Sequence, residues 1–196
     1  FTVKNFKSIR DEVTFDMQAA AISEHEDRII IDKDEEKYLP VSAVYGPNGG
    51  GKSNVLAALH TLVAKVLRPL LATEDSEEKV LLQRKIIVEP FAFSKSKDEP
   101  TEFELFFRTT VSEYRYILHV KRDIVLYESL DRVKLETGRK SALFTRDENG
   151  IVLKGAFAKL KVSDELSKTL TLLSYLGIAY KGNAVVKDVL SWFEYG

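Results

Sequence analysis

Gly46-Pro47-Asn48-Gly49-Gly50-Gly51-Lys52-Ser53 is the stretch on which the reading of this chain turns. It fits G-x-x-x-x-G-K-[ST], a loop built to hold phosphate. From average residue usage, a chance match in a chain this long is expected on the order of once in a hundred such chains. Four of the chain's ten glycines fall within these eight positions. Glycines let a backbone take positive φ and turn its N–H groups inward as an anion nest, with no Cβ in the way. A lysine behind them reaches the β- and γ-phosphates, and the following hydroxyl supplies an oxygen to Mg²⁺. The same glycines in a plain helix-capping turn would not call for Lys52-Ser53 at their end.

The flanks supply the context such a loop needs. Before it, Val41-Ser42-Ala43-Val44-Tyr45 carries no charge and predicts a short strand covered on both faces. After it, Val55, Leu56, Leu59, Leu62, Val63, Val66 and Leu67 recur at helical spacing, predicting a helix over 53–67 that ends at Arg68-Pro69. The N-terminus of that helix adds the positive end of its dipole to the loop.

Further out, Phe1–Ile9 and Val13–Met17 predict two strands of a hairpin reversing at Arg10-Asp11. The chain opens at Phe1, already inside that pattern, which leads us to expect further residues ahead of it. Residues 70–100 are mixed, with a helical stretch expected over Glu77–Arg84 and a polar turn around Lys95–Pro100. From Phe103 onward, alternation through Leu105, Phe107, Tyr116, Leu118 and Val120 predicts an antiparallel meander that continues through Ile124–Leu135 and Ala142–Thr145. Asn149-Gly150 predicts a type I′ turn. Ser163 is expected to cap a helix carrying Leu166, Leu170 and Leu173 and stopping at Gly177, and Asn183 another with Val186, Val189, Leu190 and Phe193. The expected organisation is an α/β lobe: a phosphate-loop core over 1–88, an antiparallel β subdomain over 89–160 and a helical segment over 161–196.

Composition narrows the function classes. The 196 residues are 44% hydrophobic, enough for a core, and their 29 basic and 30 acidic side chains leave a net charge of −1. That removes a highly charged disordered chain and any bulk-charge case for nucleic-acid binding. With no cysteine, disulfide scaffolds, thiol catalysis and Cys-based zinc sites are excluded, and a cytoplasmic location is expected. His25, His60 and His119 lack metal-ligand spacing. No run approaches 18 consecutive apolar residues, so no membrane partner is expected. Phe103, Phe106, Phe107, Tyr114 and Tyr116 read as rings of a packed meander rather than base-stacking platforms.

Val3-Lys4-Asn5-Phe6-Lys7-Ser8-Ile9, a short second strand, and then Val44-Tyr45 leading into the phosphate loop and Asn54-Val55-Leu56-Ala57-Ala58-Leu59 together resemble the N-terminal lobe of ABC-type ATPases. The likeness is to the SMC/RecF branch, and within it to single-chain AAA ATPases related to RecF and OLD proteins, many of them in bacterial defence systems. It covers residues 1–67 closely and 88–196 loosely. The resemblance implies an ABC-ATPase-like fold that binds ATP and Mg²⁺ and dimerises head to head around two nucleotides, acting on DNA or an effector partner. It implies that Lys7 and Ser8 help hold the nucleotide phosphates. It places Asn48 in the G-x-N-G-x-G-K-S form of the loop. Gly46, Asn48, Gly49, Gly50, Gly51, Lys52, Ser53 and Asn54 are then the cofactor contacts, with Ser53 on the metal.

The resembling family also uses a Walker B segment, whose Asp helps hold Mg²⁺ and whose Glu activates water, and a signature motif. Neither occurs after Ser53, so no catalytic residue is assigned. The run Ile29-Ile30-Ile31-Asp32-Lys33-Asp34-Glu35 lies upstream and reads as a strand end with a solvated acidic turn. Leu173-Ser174-Tyr175-Leu176-Gly177 reads as a helix end, not a signature. Gln18 and Gln83 are poorly placed for a Q-loop. Glu128 is a possible substitute, though its simpler reading is an exposed strand residue. The expectation is an ATPase half-site that binds nucleotide and needs a continuation beyond Gly196 for turnover. A small phosphate-loop kinase would need an acceptor site and a catalytic acid or base, neither of which is evident. A non-hydrolysing interaction module would show no Mg²⁺-dependent nucleotide affinity.

Overall fold

The computed structural model describes residues 1–20, 26–32, 35–72, 86–93 and 98–195. Its frame is one antiparallel sheet of seven strands in the order β2-β1-β5-β6-β7-β8-β9. These are β1 (Thr2–Lys4), β2 (Val13–Thr14), β5 (Thr101–Arg108), β6 (Ser112–Lys121), β7 (Ile124–Lys134), β8 (Lys140–Asp147) and β9 (Gly150–Leu153). A separate pair, β3 (Ile30–Ile31) and β4 (Lys37–Tyr38), flanks it. Among the described residues the α-helices are α1 (Lys52–Leu71), α2 (Leu172–Ala179) and α3 (Ala184–Tyr195).

The period-2 alternation read from the sequence sets the two faces of this sheet. Val3 pairs with Phe103, Phe103 with Leu118, and Tyr116 with Leu130, all buried on the inner face. Phe107 stacks on Tyr114, with centroids 5.2 Å apart, and meets Trp192 and Phe193 of α3 at 4.9 and 5.6 Å. Phe103, Phe107, Tyr114 and Tyr116 of the meander are thus core, while Phe106 lies on the opposite face beneath the Arg115 guanidinium. Asn183 caps α3 as the sequence predicts, its Oδ1 accepting from the N–H groups of Val185 and Val186.

Several local expectations are corrected. Residues 41–45 form no strand, and Val41, Val44 and Tyr45 face solvent. A strand needs hydrogen-bonding neighbours, and the sheet places β1 beside β5 rather than offering that segment a parallel partner. The hairpin of β1 and β2 reverses at Lys7-Ser8, where Phe6 and Ile9 exchange both backbone bonds (2.8 and 2.7 Å). The β8–β9 turn is Glu148-Asn149, one residue earlier than expected, because Asp147 pairs with Gly150. Asp32 is not a solvated turn residue: it is ion-paired with Arg108, joining the flanking β3–β4 pair to the end of β5. The expected helix over Glu77–Arg84, part of the Lys95–Pro100 turn, Gln83 and His25 lie outside the described residues.

α1 runs four residues past its expected end, through Pro69. A proline there removes the bond to the carbonyl four residues back and crowds it. The Lys65 carbonyl is approached by Ser174 Oγ at 3.4 Å, and the next carbonyl, of Val66, accepts from the same hydroxyl at 2.7 Å. By length and composition α1 is apolar enough to cross a membrane. Its Ala58, Leu62 and Val66 are buried in the core, while Leu56 and Leu71 face outward.

The helix expected from Ser163 begins at Leu172, because Thr171 caps it by accepting from Ser174 N–H (3.1 Å). Gly177 does not end α2. It lies inside that helix, where a Cβ would stand 2.6 Å from Leu70 and 2.7 Å from Leu190. Only hydrogen fits between α1, α2 and α3 there. Glu128, expected on an exposed rim, is fully buried. Its carboxylate accepts from the Leu172 and Leu173 N–H groups (2.6 and 3.0 Å) and from Tyr116 Oη (2.9 Å), fastening the start of α2 to the sheet.

Two outcomes are expected. Gly177→Ala makes the Leu70 and Leu190 side chains give way and lowers stability by about 1–3 kcal/mol in urea unfolding. The second concerns Glu128, whose carboxyl burial holds above its ordinary range despite the amides and Arg146 nearby. A carboxyl raised in the folded state contributes stability below its unfolded pKa, about 4.3, and loses it as pH rises through the folded value. Glu128→Gln removes that ionisation, so its stability relative to wild type rises with pH above about 4.3 and then levels off. A difference that is flat across that range, in unfolding measured at several pH values, would contradict the burial argument.

Candidate functional site

The loop over 46–53 joins the exposed segment 41–45 to α1. Gly46, Gly49 and Gly51 have φ of 155°, 79° and 85°. Pro47 to Gly50 is a tight turn closed by Gly50 N–H to the Pro47 carbonyl (3.1 Å), with Gly49 at its third position, which demands positive φ. Gly51 is the N-cap of α1 in left-handed conformation, and no side chain caps the helix there. No acidic residue lies in the first turn of α1, so its positive dipole end is not offset by its own side chains.

The Lys52 ammonium bridges the Gly46 and Pro47 carbonyls, both at 2.7 Å. That uses two of its three donors and draws the loop around the side chain. Ser53 is exposed at the start of the helix. Asn54 turns back: its Nδ2 donates to Ser8 Oγ at 2.7 Å. Ser8 Oγ also stands 3.0 Å from where a Cβ on Gly51 would be. The hairpin tip therefore rests on the phosphate loop, although 43 residues separate Ser8 from Gly51 in the chain. Beside Ser8, the Lys7 ammonium lies over the Phe6 ring, 5.5 Å from its centroid, and the Lys7 N–H donates to the Glu89 carbonyl (2.9 Å).

A cleft of about 560 Å³ opens between hairpin and loop, lined by Ser8, Arg10, Asp11, Tyr45, Gly50, Gly51, Lys52 and Phe91 among others. Cleft and loop together fit a phosphate-bearing ligand, with Gly50, Gly51 and Lys52 at one end and apolar and aromatic walls beyond. Asp11 is the one carboxylate among the described residues lining this cleft. The Arg10 guanidinium holds it by three bonds, of 2.8, 3.0 and 3.2 Å, and keeps its carboxyl below the usual range. A carboxylate so paired is a weak base.

The sequence reading missed four residues here. Arg10 and Asp11 read as a simple reversal, and Phe91 as part of an uncertain stretch. The fourth, Asn5, is buried at φ 56° behind the hairpin tip. An Asn within two residues of the tip is a signal for a left-handed position, but its partners lie more than 80 residues away. Glu128 is far from this role, being committed to α2.

Gly51→Ala is expected to strain the left-handed N-cap and push Ser8 off the loop. Nucleotide affinity measured by calorimetry falls at least about tenfold, a strain and contact loss of roughly 1–3 kcal/mol. Unchanged affinity would mean that the Ser8 contact does not shape the site.

A family model described as "AAA domain, putative AbiEii toxin, Type IV TA system" matches residues 41–184, from the segment before the phosphate loop to the first turn of α3. No curated protein matches the chain. No solved structure matches it either.

Proposed function

Because the chain belongs to this family of AAA domains and is a nucleotide-binding domain of the phosphate-loop ATPase type, we propose that it is the ATP-binding part of an SMC/RecF/OLD-like ATPase. In this reading the loop amides and Lys52 hold the β- and γ-phosphates, Ser53 gives an oxygen to Mg²⁺, and Ser8 and Lys7 approach the phosphates from the hairpin. Bound Mg²⁺ would neutralise charge on the phosphates. The observation that carries the reading is Ser8 against Gly51 and Asn54. A hairpin tip with exposed Lys-Ser, laid on the loop from 43 positions earlier in the chain, serves a phosphate ligand better than it serves packing.

Hydrolysis needs a third element beyond phosphates and metal, a group that orients or deprotonates water. Asp11 is spent on Arg10, and Glu128 is buried under α2. We therefore assign nucleotide binding to residues 1–196 and place the water-activating carboxylate, the signature motif and the strands that would flank 41–45 in other segments of the ATPase. The carboxylate and the strands belong to other segments of the same head, and the signature motif arrives when heads meet around ATP; that meeting drives action on DNA or an effector, as in DNA repair or phage defence. The apolar side chains of Val41, Val44 and Leu56, exposed beside the loop, support that addition.

The test is calorimetry and steady-state ATPase measurement on the chain. It should bind MgADP or MgATP with little turnover. Lys52→Ala should weaken binding by about tenfold or more, since hydrogen bonds to charged groups are worth roughly 1.5–3 kcal/mol. Absence of Mg²⁺-dependent affinity would favour an interaction module. Robust turnover abolished by Lys52→Ala would place a catalytic carboxylate within these residues.

A further inference from the structure

We propose that Asn5 is the positioning residue of the nucleotide site, setting the Lys7-Ser8 tip against the phosphate loop without touching the ligand. The proposal rests on the nucleotide-binding reading above. Asn5 is 1% exposed and left-handed, at φ 56°. Its Oδ1 accepts from the Phe91 N–H at 3.0 Å. Its Nδ2 donates to the carbonyls of Glu99 and Pro100, both at 3.1 Å. Its own carbonyl accepts from Thr101 Oγ1 at 2.6 Å, and its N–H donates to the Arg10 carbonyl at 3.2 Å. One residue thus ties together the hairpin, the segment that brings Phe91 to the cleft, and the entrance to β5.

The residue type follows from these demands. The site needs a side-chain acceptor and a donor on one short planar group, at a backbone position of positive φ. Asparagine meets all three, being one of the few residues besides glycine that visit the left-handed region readily. Aspartate keeps the shape and the acceptor but cannot donate to two carbonyls. Glycine keeps the backbone and loses every side-chain bond. Alanine loses both.

The fixed end of this linkage is Asn5 and the working end is Ser8. Between them Phe6 is buried edge-on to Phe103, with centroids 6.0 Å apart, and exchanges both bonds with Ile9. Little freedom remains in the turn, so a shift at Asn5 is carried to Ser8 Oγ, and from there to Asn54 and Gly51. Positioning errors of this kind lower affinity without removing a ligand contact.

The test is a double-mutant cycle in MgADP affinity, measured by calorimetry on the chain with Ser8→Ala, Asn5→Gly and their combination, alongside thermal unfolding of each. Asn5→Gly and Ser8→Ala should each weaken binding by about five- to tenfold, and the double variant by no more than the worse single. Asn5→Asp should fall between wild type and Asn5→Gly. If Asn5→Gly is recovered unfolded, the cycle is run with Asn5→Asp. Wild-type affinity in a folded Asn5 variant, or losses that multiply in the double, would overturn the proposal and leave Asn5 a purely structural residue. Failure of the wild-type chain to bind MgADP would instead overturn the nucleotide-binding reading itself.

Discussion

α1 has to be held firmly while its first turn stays open to an anion, and the rest of the structure is arranged around that requirement. The helix is fastened through its later turns. Ala58, Leu62 and Val66 are buried in the core, each large apolar side chain contributing about 1.5–3 kcal/mol. The Lys65 ammonium reaches the Asp123 carbonyl at 2.9 Å and the Thr169 carbonyl at 3.4 Å. Pro69, costly in a helix interior, is tolerated because Ser174 comes to the carbonyls it disturbs. Among the described residues nothing comparable grips the first turn, where Lys52 and Asn54 bond to the loop and the hairpin tip.

Fastening α1 requires buried charge, and the structure satisfies that charge mostly with backbone. Lys65 and Arg146 both close on the segment over 167–171: Arg146 donates to the Leu170 and Ser167 carbonyls at 2.6 and 3.1 Å. Glu128 takes the first two N–H groups of α2 from the other side. A buried ion left without partners costs several kcal/mol, so each of these groups commits its neighbours to one arrangement. The result is a clasp joining β7, β8, α1 and α2, into which Gly177 lets Leu70 and Leu190 close.

The phosphate loop is assembled from both sides of this frame. On the α1 side, positive φ at Gly49 and Gly51 turns the backbone, and the helix supplies its dipole. On the sheet side, β1 is paired to β5 through Val3 and Phe103, which carries the hairpin tip to the loop. Among the described residues, the two sides meet through the side-chain bond from Asn54 to Ser8. A site built across such a joint responds to small displacements of either part.

The sequence by itself determined what depends on neighbours a few residues apart. The glycine spacing and Lys52-Ser53 declare the phosphate loop, helical spacing declares α1, alternation declares the meander and its buried face, and Asn183 declares the start of α3. Each is a local rule of backbone conformation or periodicity, so each is legible in one dimension. What the tertiary structure alone decided depends on partners far along the chain. Residues 41–45 have strand composition but no strand, because hydrogen bonding needs a second segment. Glu128 alternates like a rim residue but is buried, because α2 needs an acceptor at its start. Gly177 has the look of a helix end but is a packing contact, because two leucines from other helices occupy the space a Cβ would take. Asn5, the residue behind the hairpin tip, is defined by the Phe91 amide and the Glu99 and Pro100 carbonyls. Only folding brings those within reach, and a hydrogen bond of 3 Å leaves no trace in a sequence separation of more than 80 residues.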